Sequence, residues 1–333
     1  MLKRITQLDG VRGLAILSVF LHHSLHIKLM WMGVDLFFVL SGFLITGVLI
    51  EARGCALPVY LSRFYERRAR RILPPYIVVL VLVSILFGIG WMQHWYLYIF
   101  LTNLILPLGI SHPSALDPLW SLAVEEQFYL VWPFAVFFAG ERRLRHLAIM
   151  LILLAPILRG ALHFHHHWPI YTLTPFRMDL LAVGAFLFLI RRTHEQAIAK
   201  WGFLAGLGLM TAGLFSLALL GHAGITTFGN TRIGNVCIYE ASLLICSGFM
   251  VYALSERKVG WLKNRALRFI GRISYMMYLI HVAALDLTAR WFTTEITHAL
   301  VAFIVTVTFA ATSWFLMEKR LLQKTPVKEP AAV

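Results

Sequence analysis

Asp9, Arg12, His22, His23 and His26 interrupt the otherwise apolar run from Leu8 to His26. An ionisable side chain inside a membrane helix costs a few kcal/mol or more, so such residues mark a site or a pathway. Arg12 and His23 have ten residues between them, which at ~100° and ~1.5 Å per residue stacks them on one helix face about 16 Å apart. They form the candidate catalytic axis. The alternative is a snorkelling Asp9–Arg12 pair with a water-exposed histidine end.

Four further stretches carry chemistry. Trp120 to Pro133, WSLAVEEQFYLVWP, holds two adjacent carboxyls in an apolar span. Neighbouring helical residues point ~100° apart, so either Glu125 or Glu126, with Ser121 and Tyr129, can face His23 and fix its tautomer as a general base. A plain ion pair with a buried arginine is the competing reading. Ser62 to Tyr76, SRFYERRARRILPPY, sets Arg63, Arg67, Arg68, Arg70 and Arg71 before a helix expected to open at Pro74 and Pro75. Guanidinium forks suit phosphate oxygens, although basic segments beside a span also bind anionic lipid. In ISYMMYLIHV, Ser274, Tyr278 and His281 share a helix face and can line an acceptor pocket or bond between helices. Arg177 and Asp179, in RMDLLAVG, pair locally or present polar contacts to a sugar.

The cluster HFHHHW, from His163 to Trp168, places His163 and His167 at i and i+4 if helical. It lies in an expected loop with no carboxylate or cysteine, so no metal is expected there. Cys237 and Cys246 are nine residues apart on one expected helix, about 13 Å, too far for a disulfide.

These motifs sit in a chain of 333 residues that is 59% hydrophobic and 14% charged. Such a composition, with repeated long apolar runs, describes an all-α polytopic membrane protein in a single membrane domain over 1–333, with a core at 8–318 and a cytoplasmic tail at 319–333. The formal net charge of +14 does not indicate nucleic acid, because the Lys and Arg residues occupy short loops, as the positive-inside bias requires. Lys3, Arg4 and the apolar run after them lack a small-residue cleavage site, so the first span is read as retained.

Eleven apolar runs are visible, at 11–30, 33–50, 74–92, 95–111, 122–139, 147–162, 174–190, 201–221, 233–254, 269–289 and 297–317. If all cross, the basic loops from 141–146 onward face outward; if 95–111 does not cross, they all face inward. That run is also broken by Asn103 and Pro107. About ten transmembrane helices with both termini cytoplasmic, and one short re-entrant or interfacial segment near 95–111, are therefore expected. This threading gathers His23, Asp35, Glu125, Glu126, Arg177, Asp179 and His281 in the outer half, and the arginines of 63–71 inside.

Taken together, LDGVRGLA with its Arg-x10-His pair, GVDLFFVLSGFLIT, FYERRARRILP, WSLAVEEQFYLVWP, RMDLLAVGA and ISYMMYLIH resemble the acyltransferase-3 family of membrane O-acyltransferases, found mainly in bacteria. The resemblance implies a ten-helix bundle in the bacterial cytoplasmic membrane. It would use cytoplasmic acetyl-CoA, or another acyl-CoA, to acylate a hydroxyl of a surface or lipid-linked glycan such as lipopolysaccharide O-antigen or exopolysaccharide. It implies that Arg12 and His23 are the family's essential pair, and that Arg68 and Arg71 form its RxxR element. Glu125, Glu126, Tyr129, Tyr275 and His281 match other recurring polar positions. On this reading a stand-alone type without an SGNH-type esterase domain is expected, His281 precedes Val-Ala rather than Trp-Pro, and the last helix ends FLMEKR; these departures bear on the acceptor.

On this reading His23, Arg12, Glu125 and Glu126 are the catalytic candidates, and Arg63, Arg67, Arg68 and Arg71 hold the CoA phosphates. Asp35, Ser121, Tyr129, Arg177, Asp179, Tyr275, Tyr278 and His281 contact the glycan acceptor. Membrane lipids are the other partner, with no nucleic acid and no metal. A small secreted molecule as acceptor, or transport of glycan precursors, are the alternatives.

Overall fold

Long apolar segments in lipid must satisfy their backbone groups internally, and the described long segments of this chain do so as helices. The computed structural model describes residues 5–88, 94–226, 229–292 and 294–323; most of the expected cytoplasmic tail and residues 89–92 of the third apolar run lie outside them. The helices are α1 (Gln7–Leu25), α2 (Met32–Glu51), α3 (Leu57–Phe87), α4 (Leu119–Phe138), α5 (Glu141–Ala161), the short α6 (Trp168–Thr172), α7 (Met178–Thr193), α8 (Glu195–His222), α9 (Arg232–Leu254), α10 (Arg265–Thr288), α11 (Glu295–Ser313) and the short α12 (Lys319–Gln323). No strand occurs among the described residues.

Six helices, α2, α3, α5, α8, α9 and α11, are long and apolar enough to cross a membrane. Helices α1, α4, α7 and α10 are not among them: α7 has only 16 residues, and polar residues such as Arg12, Glu125 and Glu126 lower the mean hydropathy of the others. All four pack against other long helices, α1 on α10 and α2, α2 on α7 and α4, and α8 on α9.

Backbones touch where the sequence supplies glycine. A Cβ on Gly42 would sit 1.9 Å from the Leu181 carbonyl oxygen, and one on Gly271 1.8 Å from that of Asp9. These close approaches, α2 on α7 and α10 on α1, replace the hydrophobic drive that is absent between helices in lipid.

Successive helices alternate in direction, so the bundle has two ends. At one, Arg53 donates to the Ala139 carbonyl, Arg192 pairs with Glu141, and the described chain both begins and ends. The other gathers His22, His23, His112, Asp117 and Asp286, where Ser114 donates to Asp286. We call them the basic end and the histidine end.

One local expectation is revised. The helix does not open at Pro74: α3 begins at Leu57, with Pro58 in its first turn, and runs through Pro74 and Pro75. The arginines are thus helical residues rather than a loop. The run at 95–111, expected not to cross, forms no long helix but 3-10 turns, at Trp95–Leu97 and Thr102–Leu104. Thr102 donates to the Leu119 carbonyl and Tyr76 to that of Leu97, which ties this segment to the bundle.

Candidate functional site

Helix α3 turns a string of arginines into a ladder. Arg63, Arg67 and Arg71 follow one another at i, i+4 and i+8, and Arg68 lies three before Arg71, so the stripe climbs about 12 Å along the helix. Arg63 and Arg67 border a recess at the basic end beside Cys55 and Tyr60. Arg67, Arg68, Arg70 and Arg71 line the next recess with Leu322. Arg68 and Arg71 then open into an interior cavity with Arg12, Ser41, Ser121, Glu125, Tyr129, Ser274, Tyr275 and Tyr278. The space between these side chains is about 700 Å³, counted with its open mouth.

The cavity is cationic. Arg71 stands beside both Arg12 and Arg68, and Arg68 lies over the Tyr129 ring, 5.2 Å from its centroid. Among the described residues no carboxylate forms an ion pair with Arg68 or Arg71. Glu125 is the only cavity-lining acid, and its oxygens accept from Ser41 at 2.7 Å and Tyr129 at 2.9 Å. Three guanidinium groups against one hydrogen-bonded carboxylate favour an anionic guest, with Arg the residue type suited to phosphate oxygens.

The two adjacent glutamates divide as helical geometry requires. Glu125 points into the cavity, and Glu126 points away with one buried oxygen that has no hydrogen-bond partner. Neither bonds to His23, so the expectation that a glutamate orients that imidazole is not met. Helix α4 turns Glu125 towards Ser41 of α2 instead. Ser41 went unremarked in the sequence because a hydroxyl in an apolar run carries no hydropathy signal.

His23 lies at the exposed histidine end, outside the cavity lining. Its Nδ1 is 2.9 Å from the Val19 carbonyl oxygen and 3.3 Å from His281 Nε2. His281 is fully buried rather than lining an acceptor pocket. It packs against Tyr278, whose ring centroid is 5.6 Å away, and Tyr278 lines the cavity with its hydroxyl 2.5 Å from that of Ser121.

Three expected acceptor contacts are also removed from the cavity. Asp35 and Arg177 are fully buried and paired with each other, and Asp35 accepts from Ser242 at 2.6 Å. The Arg177 guanidinium lies within 6.0 Å of the ring centroids of Trp31, Trp120, Tyr171 and Tyr239. Asp179 pairs with Arg159 at 2.7 Å rather than with Arg177, and Arg159 also reaches Glu240 at 2.5 Å. These groups neutralise one another inside the wall. Arg159 was detectable as a lone charge in an apolar run.

The HFHHHW stretch is not helical between His163 and His167, so no i, i+4 histidine pair forms. A different histidine is engaged nearby. His112, between the long helices, places Nε2 2.5 Å from Asp117 and Nδ1 2.6 Å from the Ile110 carbonyl. With an acceptor at each nitrogen, the ring is suited to the doubly protonated form. Partial burial opposes that charge, but the bonds to Asp117 and Ile110 outweigh it and raise the pKa above 6.5.

A group whose folded pKa is raised stabilises fully below its unfolded value and loses that contribution as pH rises through the folded one. Thermal stability in detergent should therefore fall as pH increases above about 6.5, and His112→Gln should flatten that slope. An identical slope in the variant would remove His112 as its cause.

Comparison with known proteins now adds to the geometry. The acyltransferase domain family matches residues 5–317. The chain is 29% identical over 322 residues to the peptidoglycan O-acetyltransferase OatA of Listeria monocytogenes, covering 86% of this chain and 50% of that protein. It is 26% identical over 317 residues to the O-acetyltransferase OatA of Staphylococcus aureus, covering 82% of this chain and 49% of that one. The chain thus spans about half the length of these relatives. No solved structure matches it.

Proposed function

Because the chain belongs to the acyltransferase domain family, we propose that it is a membrane O-acetyltransferase. It would take acetyl-CoA at the basic end and pass the acetyl group to a glycan hydroxyl at the histidine end. The observation that carries this reading is the succession of three arginine-lined recesses, neighbours through shared Arg67 and then through shared Arg68 and Arg71, the last of them an interior cavity that Arg12 also lines. A polyanion with a long, narrow arm fits that shape.

The positive-inside bias puts the arginine-rich end in the cytoplasm. The ten long helices then serve as ten crossings with both termini inside, and 95–117 covers part of the outer face. The relatives' names favour peptidoglycan as the acceptor over lipopolysaccharide.

In the reaction, His23 takes the hydroxyl proton of the acceptor while its oxygen attacks the thioester carbon. The C–S bond breaks, and the departing CoA sulfur receives the proton back from His23. Tyr278 lines the cavity and packs against His281, the neighbour of His23, so on this reading the thioester passes Tyr278 to reach His23.

The test is transfer from labelled acetyl-CoA into isolated cell-wall glycan by membranes holding the wild type or His23→Ala at equal abundance. The variant should lose at least 100-fold, the lower range for a general base. Equal label in both would sink the proposal, and glycan flux without any acetyl-CoA requirement would favour a transporter.

A further inference from the structure

Two carbonyl acceptors at the histidine end give its imidazoles a direction, and together they indicate which nitrogen of His23 is basic. His281 Nδ1 lies 2.7 Å from the Tyr278 carbonyl oxygen. A carbonyl can only accept, so Nδ1 carries the proton and, in the neutral ring, Nε2 presents a lone pair. That lone pair faces His23 Nδ1 at 3.3 Å. His23 Nδ1 also faces the Val19 carbonyl at 2.9 Å. Two acceptors at one nitrogen fix the hydrogen there, leaving His23 Nε2 unprotonated. The rings meet edge to face, with centroids 4.9 Å apart and planes 70° apart.

We infer that His281 is a positioning residue for the acetyl transfer: it holds His23 as the Nδ1–H tautomer and directs Nε2 to the acceptor. The inference rests on the reading of His23 as the base. It assigns to a second imidazole the role that Glu125 and Glu126 do not fill, since Glu125 is engaged with Ser41 and Tyr129 on the cavity side.

The pairing also bears on the charged state. When His23 takes the acceptor proton at Nε2, positive charge spreads to its Nδ1–H, which points at the neutral His281 lone pair and the Val19 carbonyl. Val19 alone is a poor holder, because an i−4 carbonyl also belongs to the helix ladder. The 3.3 Å separation is long for a resting bond and has room to tighten as charge develops.

Tyr278 connects this pair to the cavity. Its backbone carbonyl anchors His281, its hydroxyl donates to the Pro118 carbonyl at 2.9 Å, and its hydroxyl also meets Ser121. A movement of Tyr278 that admits the thioester would therefore be felt by His281.

Three variants test the inference. His281→Leu keeps volume and apolar packing but removes the acceptor, and should lower kcat on the order of 10–100-fold with the KM for acetyl-CoA unchanged. His281→Gln restores an acceptor near the former Nε2 and should recover much of the loss. His23→Ala, run beside them, reports the base itself. Ring nitrogen-15 spectra of the detergent-solubilised protein give a readout independent of turnover: wild type should show one Nδ1–H tautomer at His23, and His281→Leu a mixture.

A His281→Leu enzyme with wild-type kcat, or one that keeps the single tautomer, overturns the inference. So does equal loss in Leu and Gln variants, which marks a packing role. If His23→Ala retains activity, the reading of His23 as base fails instead, and the spectra alone decide whether His281 sets the tautomer.

Discussion

Asp35→Ala should leave little folded protein. The substitution strands Arg177, fully buried, without its carboxylate partner, and breaking one side of a buried ion pair costs about 3–5 kcal/mol. Ser242 loses its acceptor as well. The aromatic rings around the guanidinium do not compensate, since those cation–π contacts are already present in the wild type. Pairing the change with Arg177→Leu should recover part of the loss, because two apolar replacements leave no unpaired charge. Thermal unfolding in detergent, followed by the fraction that stays monodisperse, measures both. Were Asp35→Ala to unfold at the wild-type temperature and show only weaker acceptor binding, Asp35 would be a substrate contact after all.

The opposite pattern is expected at the arginine ladder. Replacing Arg68 and Arg71 together by alanine should raise the KM for acetyl-CoA by about 100-fold, since a hydrogen bond to a charged group contributes about 1.5–3 kcal/mol and two are removed. Stability should hold or rise, because Arg12, Arg68 and Arg71 crowd one cavity with a single acid among them. Lysine replacements should recover only part of the binding, as an ammonium lacks the guanidinium fork. The measurements are KM and kcat against acetyl-CoA concentration, with unfolding temperature as the control. Loss of kcat with KM unchanged would move these residues from donor binding to the chemical step.

The contrast between these two outcomes separates charges that hold the wall together from charges that await a ligand. Arginines occur in both groups, fully buried at Arg159 and Arg177 and half-buried at Arg68 and Arg71, and residue type does not distinguish them. Their surroundings do: Arg177 and Arg159 meet carboxylates at contact distance, whereas Arg68 and Arg71 meet an aromatic face, another arginine and open volume.

Hydropathy and loop charge were enough to determine that the chain is a helical membrane protein, that 95–111 is unlike the other runs, and which polar residues had to be explained. Helical period likewise placed Arg63, Arg67 and Arg71 in line and sent Glu125 and Glu126 in different directions. These are local properties, set by one helix's geometry and its cost in lipid. The sequence did not determine partners, because period gives the angle between residues on a helix but not the angle at which that helix meets its neighbours. Ser41 and Glu125 are 84 positions apart, Asp35 and Arg177 are 142 apart, and His23 and His281 are 258 apart. Only the packing of glycine-lined helices, which sets those angles through backbone contact at Gly42 and Gly271, decided that a histidine rather than a glutamate stands behind His23.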